Sequence, residues 1–324
     1  MTVFVTRKIP EAGLRLLQEA GCEVTQHTKR QELTSEALIH ACKKHDALLL
    51  AGPNKLDEHF FRECRHLKVI SLLSAGYDNV DISVATRLNT AIGHTPGILS
   101  NATADIAFLL ILAVSRNAFY LHNSIARGEW GFIEPTAHLG MELYGKTLGV
   151  FGLGKIGFEL AKKCTVVYDM EVIYHNRSRN EHAEEELDAR PVSFDDLLQK
   201  SDVLSVHANL SPQTRGIFDR KAFTRMKRSA IFVNTARGGI HHEKDLTDAL
   251  QNEEIWGAGL DVTNPEPMKR DNPLLTMPNV CVLPHIGSAT KETRDAMAVR
   301  AAKNIIAGLK GEQMPYAVNP EVYD

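Results

Sequence analysis

Short runs of β-branched and aliphatic residues alternate with helix-length amphipathic segments from one end of the chain to the other. The first series falls at Val3–Thr6, Glu23–Gln26, Ala47–Ala51, Val69–Leu73 and Thr90–Ile92. A second falls at Leu148–Phe151, Glu171–Tyr174, Val203–His207, Ile231–Asn234, Gly257–Asp261 and Val280–Leu283. Strands separated by helical segments predict an α/β fold with doubly wound parallel sheets. Between the two series, Asn101–Leu121 predicts one long, mostly apolar helix, with Asn101 or Thr103 as its N-cap. A helix of that length is expected to bridge two domains. Another is predicted over Lys291–Lys310, and the charge-rich stretch Glu181–Arg190 reads as a solvated helix face.

Composition narrows the classes. A chain of 324 residues is long enough for two domains with separate cores. With 37 basic against 40 acidic residues the net charge is −3, which is no footprint for nucleic acid or an anionic membrane. The five cysteines are odd in number, scattered and without a C-x-x-C, so neither a disulfide framework nor a zinc site is expected. The N-terminus reads as a first strand rather than a signal peptide. The longest apolar stretch, Ala102–Val114, is interrupted by Asp105 and is shorter than the roughly 20 residues a bilayer requires. A reduced, cytoplasmic setting is the expectation.

Chemistry enters with the glycines. Gly152, Gly154 and Gly157 form G-x-G-x-x-G directly after a predicted strand and at the head of a helix. That order lets a pyrophosphate approach the loop and the helix N-terminus, so Gly152, Leu153, Gly154, Lys155, Ile156 and Gly157 are expected to cradle a dinucleotide. Upstream, Gly140 to Thr147 matches G-x-x-x-x-G-K-[ST], but it leads into a strand, the wrong order for a nucleotide-triphosphate loop. About 20 residues beyond the glycine loop an NAD site places a carboxylate. Here stand Asn176, Arg177, Ser178 and Arg179, which suit a ribose 2′-phosphate. NADPH is therefore the expected cofactor, with NADH weaker.

Three later strand ends carry groups able to act on a small acid. Arg237 offers a planar guanidinium that can clamp a carboxylate and polarise a keto oxygen. His285 can give a proton to a developing oxyanion. Glu266, if bonded to His285, would orient the ring and favour its protonated form. Singly, each residue is more simply read as surface or turn; it is their place on successive strand ends that points to a site.

The whole chain resembles the D-2-hydroxyacid dehydrogenase family, most closely its glyoxylate/hydroxypyruvate reductase branch. The resembling segments are Ser74–Asp78, His94–Pro96, the glycine loop, Asn234–Gly238, Gly259–Val262, Asn264–Pro267 and Pro284–Thr290. The resemblance implies that Arg237, Glu266 and His285 form the catalytic trio. It implies that the Ala75 and Gly76 amides, with Arg237 and His285, hold the substrate, a role a Ser-Ala-Gly turn can fill as an anion-binding nest. It places coenzyme contacts also at His207, Thr235, Ala236 and Asp261, the last near the nicotinamide carboxamide. The family plan implies a Rossmann coenzyme domain over 100–289, inserted in a flavodoxin-like substrate domain of 1–99 and 290–324. It further implies a homodimer through the Arg127–Tyr144 arm, with Trp130 as an anchor. Where eukaryotic reductases of this branch carry a tryptophan in that arm, this sequence has Ile133. A wider pocket there would admit a longer 2-keto acid.

The expected activity is NADPH-dependent reduction of glyoxylate and hydroxypyruvate to glycolate and D-glycerate. Alternatives within the family are reduction of 2-ketogluconate and oxidation of 3-phosphoglycerate. One from another class is a dinucleotide-sensing, corepressor-like binding protein.

Overall fold

The computed structural model describes residues 1–132 and 134–324, which divide into two compact units, residues 1–99 with 288–324 and residues 100–287. In the first unit β1 (Thr2–Val5), β2 (Glu23–Gln26), β3 (Ala47–Leu50), β4 (Val69–Leu72) and β5 (Ala91–Gly93) form one sheet in the order β2-β1-β3-β4-β5. Every adjacent pair is parallel. Val3, Leu48, Leu49, Val69 and Ile70 are buried at or near zero exposure. That accounts for the unbroken apolar runs, since a parallel sheet is covered on both faces. The helix Lys291–Leu309 returns to this unit and packs against the helix Glu11–Glu19.

The second unit holds β6 (Thr147–Phe151), β7 (Glu171–His175), β8 (Arg190–Pro191), β9 (Val203–Val206), β10 (Ile231–Asn234), β11 (Gly257–Leu260) and β12 (Val280–Val282). Their order is β12-β11-β10-β9-β6-β7-β8, again parallel throughout. Strand order reverses between β6 and β9, and such a switch point is where an open α/β sheet receives its ligand. Both sheets are the doubly wound parallel sheets expected from the sequence.

Two elements differ from the sequence reading. The helix expected over Asn101–Leu121 is two helices, Ser100–Ser115 and Ala118–Ala126, bent by 66°. The break comes at Asn117, whose φ of +51° is the left-handed conformation that asparagine tolerates better than most residues. Ser115 O accepts from Met141 N at 2.8 Å, so the following chain caps the end of the first helix. Asn101 and Thr103 lie inside that helix rather than ahead of it. The second difference is Glu181–Arg190: the helix stops at Leu187, Asp188 adopts φ +50°, and Arg190 enters the edge strand β8. Among the described residues no single helix is long and apolar enough to cross a membrane. All five cysteines are free and buried.

Candidate active site

Gly152 follows β6 at φ +92°, and a Cβ there would stand 2.5 Å from the Ala208 backbone nitrogen. No other residue fits that turn. Gly157 lets the helix Lys155–Tyr168 sit against β6, since a Cβ would meet Val150 Cγ1 at 2.9 Å. Gly154 is different: it caps the helix, and nothing lies within 4 Å of the Cβ it lacks. The loop thus holds an open cradle before the first-turn amides of Lys155, Ile156 and Gly157, groups with no partner inside a helix and a natural anion site. A dinucleotide pyrophosphate fits this donor set.

Asn176, expected to meet a 2′-phosphate, also braces the loop. Its Oδ1 accepts from Leu153 N at 2.6 Å, and its Nδ2 donates to Leu153 O at 3.1 Å. Asn180 Nδ2 adds a second donor to Leu153 O at 2.9 Å. Arg179 is likewise engaged, in an ion pair with Glu184 that raises the guanidinium pKa. Arg177 and Ser178 are exposed and line a surface pocket at the end of β7 with Tyr174, Asn176, Arg179, Pro191 and Val192.

His207 follows β9, its Nε2 2.8 Å from Ser205 Oγ and its Nδ1 3.4 Å from Thr235 Oγ1. Burial pushes its pKa down to about 3, and that of His241 to about 4, the latter helped by His242. Both rings are neutral in the fold. Below the ordinary value of 6.5 the unfolded chain takes up protons that these two sites refuse, so stability is full above that pH. The melting temperature is expected to fall steadily as pH drops from about 6.5 toward 4. Thermal unfolding across that window checks it, and His241→Phe should flatten the slope.

The catalytic candidates meet at the ends of β10, β11 and β12. His285 Nδ1 lies 2.5 Å from Glu266 Oε1, with the two side chains 47% and 41% exposed. The turn Asn264–Pro267 presents Glu266. Burial raises the Glu266 carboxyl pKa, but the bond to His285 and the charges of His285 and Arg237 outweigh it, and the carboxyl is held below its ordinary value. Arg237 is half-buried, with Nη1 donating to Ala236 O at 2.8 Å. The arrangement gives an imidazole with one nitrogen fixed on a carboxylate and the other available for proton transfer.

His285 itself sits at φ +55°, a left-handed conformation costly for a residue with a Cβ. Asp261 holds it there. Its carboxylate, almost fully buried, accepts Ile286 N at 2.8 Å and Gly287 N at 2.7 Å. Desolvation raises its pKa while those two amides oppose the rise. The sequence singled out Asp261 but missed this bracing role; a carboxylate ending an otherwise apolar strand was the available signal.

In the first unit the Ser74–Gly76 turn is pinned through successive carbonyls. Thr95 N donates to Ser74 O at 2.8 Å, His94 Nδ1 lies 2.9 Å from Ala75 O, and Ser74 Oγ donates to Gly76 O at 2.7 Å. Such anchoring orients the Ala75 and Gly76 amides. Burial holds the His94 pKa low.

The family model for the D-isomer specific 2-hydroxyacid dehydrogenase NAD binding domain matches residues 108–287. A glyoxylate reductase of Thermococcus litoralis is 40% identical over 99% of this chain and 97% of its own length. The chain belongs to the D-isomer-specific 2-hydroxyacid dehydrogenase family. This NAD(P)-dependent dehydrogenase is also similar to solved structures. A protein of Thermus thermophilus superposes with a TM-score of 0.91 and 37% identity, covering 98% of this chain and all of the other. An NADPH-dependent glyoxylate/hydroxypyruvate reductase of Sinorhizobium meliloti, in complex with NADP and malonate, does so with 0.85 and 26%, covering 98% and 97%. The matched range of the family model contains the dehydrogenase's glycine loop, Arg237, Glu266 and His285.

Proposed function

We propose that this dehydrogenase reduces glyoxylate and hydroxypyruvate to glycolate and D-glycerate with NADPH. The observation that carries the reading is the His285–Glu266 pair, set on the same sheet edge as the glycine loop. The names of the similar reductases support the substrate class. The glycine loop would hold the coenzyme's pyrophosphate, and the coenzyme, when bound, would supply a hydride to the keto carbon. Arg237 binds the substrate carboxylate and draws charge toward the keto oxygen. As the C=O π pair moves onto oxygen, His285 Nε2 delivers its proton there, leaving a neutral ring that solvent reprotonates. Glu266 accepts from Nδ1–H and fixes the orientation of the ring. Asp261 keeps the His285 loop in register and offers its remaining lone pairs to the carboxamide.

The test is absorbance at 340 nm with NADPH or NADH and a panel of 2-keto acids. Fast turnover on glyoxylate and hydroxypyruvate is expected. Faster turnover on 2-ketogluconate would move the assignment to a longer substrate, and oxidation of 3-phosphoglycerate to the reverse direction. Coenzyme binding with no turnover on any acid would make the protein a sensor.

The NADPH preference rests on Arg177 and Ser178 in the pocket beyond β7, where no acid stands after the strand. Arg177→Ala is expected to raise the KM for NADPH about 10-fold or more, the scale of one charge-assisted bond to phosphate, and that for NADH less than 2-fold. Equal effects on both would remove Arg177 from the 2′-phosphate site.

We further assign assembly as a cytoplasmic homodimer to the Arg127–Tyr144 arm. Its Trp130 is 70% exposed and its Phe132 91%, which suits an apolar surface awaiting a second copy. Ile133 lies outside the described residues.

A further inference from the structure

Strand β10 is apolar and fully buried until its last residue, Asn234, which is also fully buried. The side chain of Asn234 closes the turn that carries Arg237. Oδ1 accepts Ala236 N at 2.9 Å, and Nδ2 donates to Arg237 O at 2.9 Å. Nδ2 also lies 3.0 Å from His241 Nδ1.

The polarity of these groups leaves one solution. Backbone N–H can only donate and backbone C=O can only accept, so Ala236 and Arg237 set which end of the Asn234 amide is oxygen. Reversing it would put NH against NH and oxygen against oxygen. His241 Nδ1 must therefore accept the second Nδ2 hydrogen, which places the ring proton on Nε2. His241 is buried, its ring edge-on to Phe232 at 5.8 Å, and its Nε2 has no partner among the described residues. A buried histidine kept with one nitrogen unpaired serves through the other.

We propose that Asn234 and His241 are positioning residues that fix the Arg237 turn, His241 acting as the acceptor that locks the Asn234 amide in its working orientation. Through Ala236 N and Arg237 O the pair sets the backbone on both sides of the Arg237 Cα, and thus the direction of the guanidinium. The depressed pKa of His241 agrees, since a protonated ring would turn N–H against the Asn234 amide. Asn234 O also accepts Asp261 N at 3.0 Å, so the same residue ties β10 to the strand end that braces His285. This rests on the reading of Arg237 as the carboxylate clamp.

The experiment uses the full chain and compares His241→Phe, Asn234→Asp, the double variant and Arg237→Gln. Steady-state kinetics with glyoxylate and NADPH are set beside NADPH affinity by fluorescence. Asn234→Asp keeps the acceptor for Ala236 and removes both donors; His241→Phe keeps the ring and removes the acceptor. Asn234→Asp is expected to raise the glyoxylate KM about 10- to 100-fold, the scale of losing one or two hydrogen bonds, with NADPH affinity within about 2-fold of the parent. His241→Phe raises it about 3- to 10-fold, and the double variant matches Asn234→Asp alone because both act through one amide. An unchanged KM in His241→Phe, or effects that multiply in the double variant, overturns the pair. If Asn234→Asp does not fold, His241→Phe decides alone. Arg237→Gln separates the two readings. An unchanged KM there overturns the clamp itself, whereas a raised KM beside an unchanged one in His241→Phe overturns only the positioning pair.

Discussion

With His285 as the proposed general acid, replacing it with Gln is expected to lower kcat for 2-keto acid reduction by about 100- to 10,000-fold, the range general acid catalysis supplies, while coenzyme affinity stays near the parent value. Gln can donate a hydrogen bond to the keto oxygen but cannot surrender a proton to it, so the alkoxide formed by hydride arrival has no proton donor in the side chain. The loop itself should survive, because its register is set by the Ile286 and Gly287 amides on Asp261 and not by the imidazole. His285→Gln does lose the 2.5 Å contact to Glu266, and both groups are nearly half exposed, so water can replace it with little effect on folding. Stopped-flow single turnovers with NADPH read the chemical step, and coenzyme fluorescence reads binding. Retained turnover would remove His285 as the acid. Loss of coenzyme binding together with turnover would make it part of the coenzyme site instead.

How much of this was legible beforehand follows from the range of each interaction. All eleven strands read from the sequence exist, because a covered parallel strand needs an unbroken apolar run and that run is local. The two-residue strand β8 was not legible: Arg190 and Pro191 carry no apolar signal, and their pairing with Ile173 and Tyr174 depends on where β7 has already been placed. The bend at Asn117 was missed for a related reason. Apolar periodicity runs on past it, and the bond that caps the first helix comes from Met141. The glycine loop and the trio were legible as residue types at strand ends. What each polar neighbour does was not. Asn176 faces Leu153 across 23 positions, and Asp261 holds amides 25 and 26 positions away. Such bonds exist only once neighbouring strands have aligned, so the sequence showed Asn176 and Asp261 as polar residues but not the backbone groups they hold.

Gly154 offers a test in which stability and function move in opposite directions. Its φ of −97° and ψ of −157° are extended backbone that any residue adopts, and the space a Cβ would enter is empty. Aspartate is among the best N-cap residues and its charge is favoured at a helix N-terminus, so Gly154→Asp is expected to leave stability unchanged or raise it by about 0.5 kcal/mol. The same carboxylate fills the cradle and faces the pyrophosphate. At about 4 Å and an effective dielectric near 20, repulsion is on the order of 4 kcal/mol, enough to weaken coenzyme binding about 1,000-fold. Gly152→Ala is the contrast: its Cβ meets the Ala208 backbone and its φ is left-handed, so folding itself should suffer. Thermal melts beside NADPH titrations of the two variants make the comparison. If Gly154→Asp bound NADPH as tightly as the parent, the pyrophosphate would have to lie elsewhere than before the helix Lys155–Tyr168. A stable fold with binding abolished locates it at this loop, because no loss of structure remains to explain the loss of affinity.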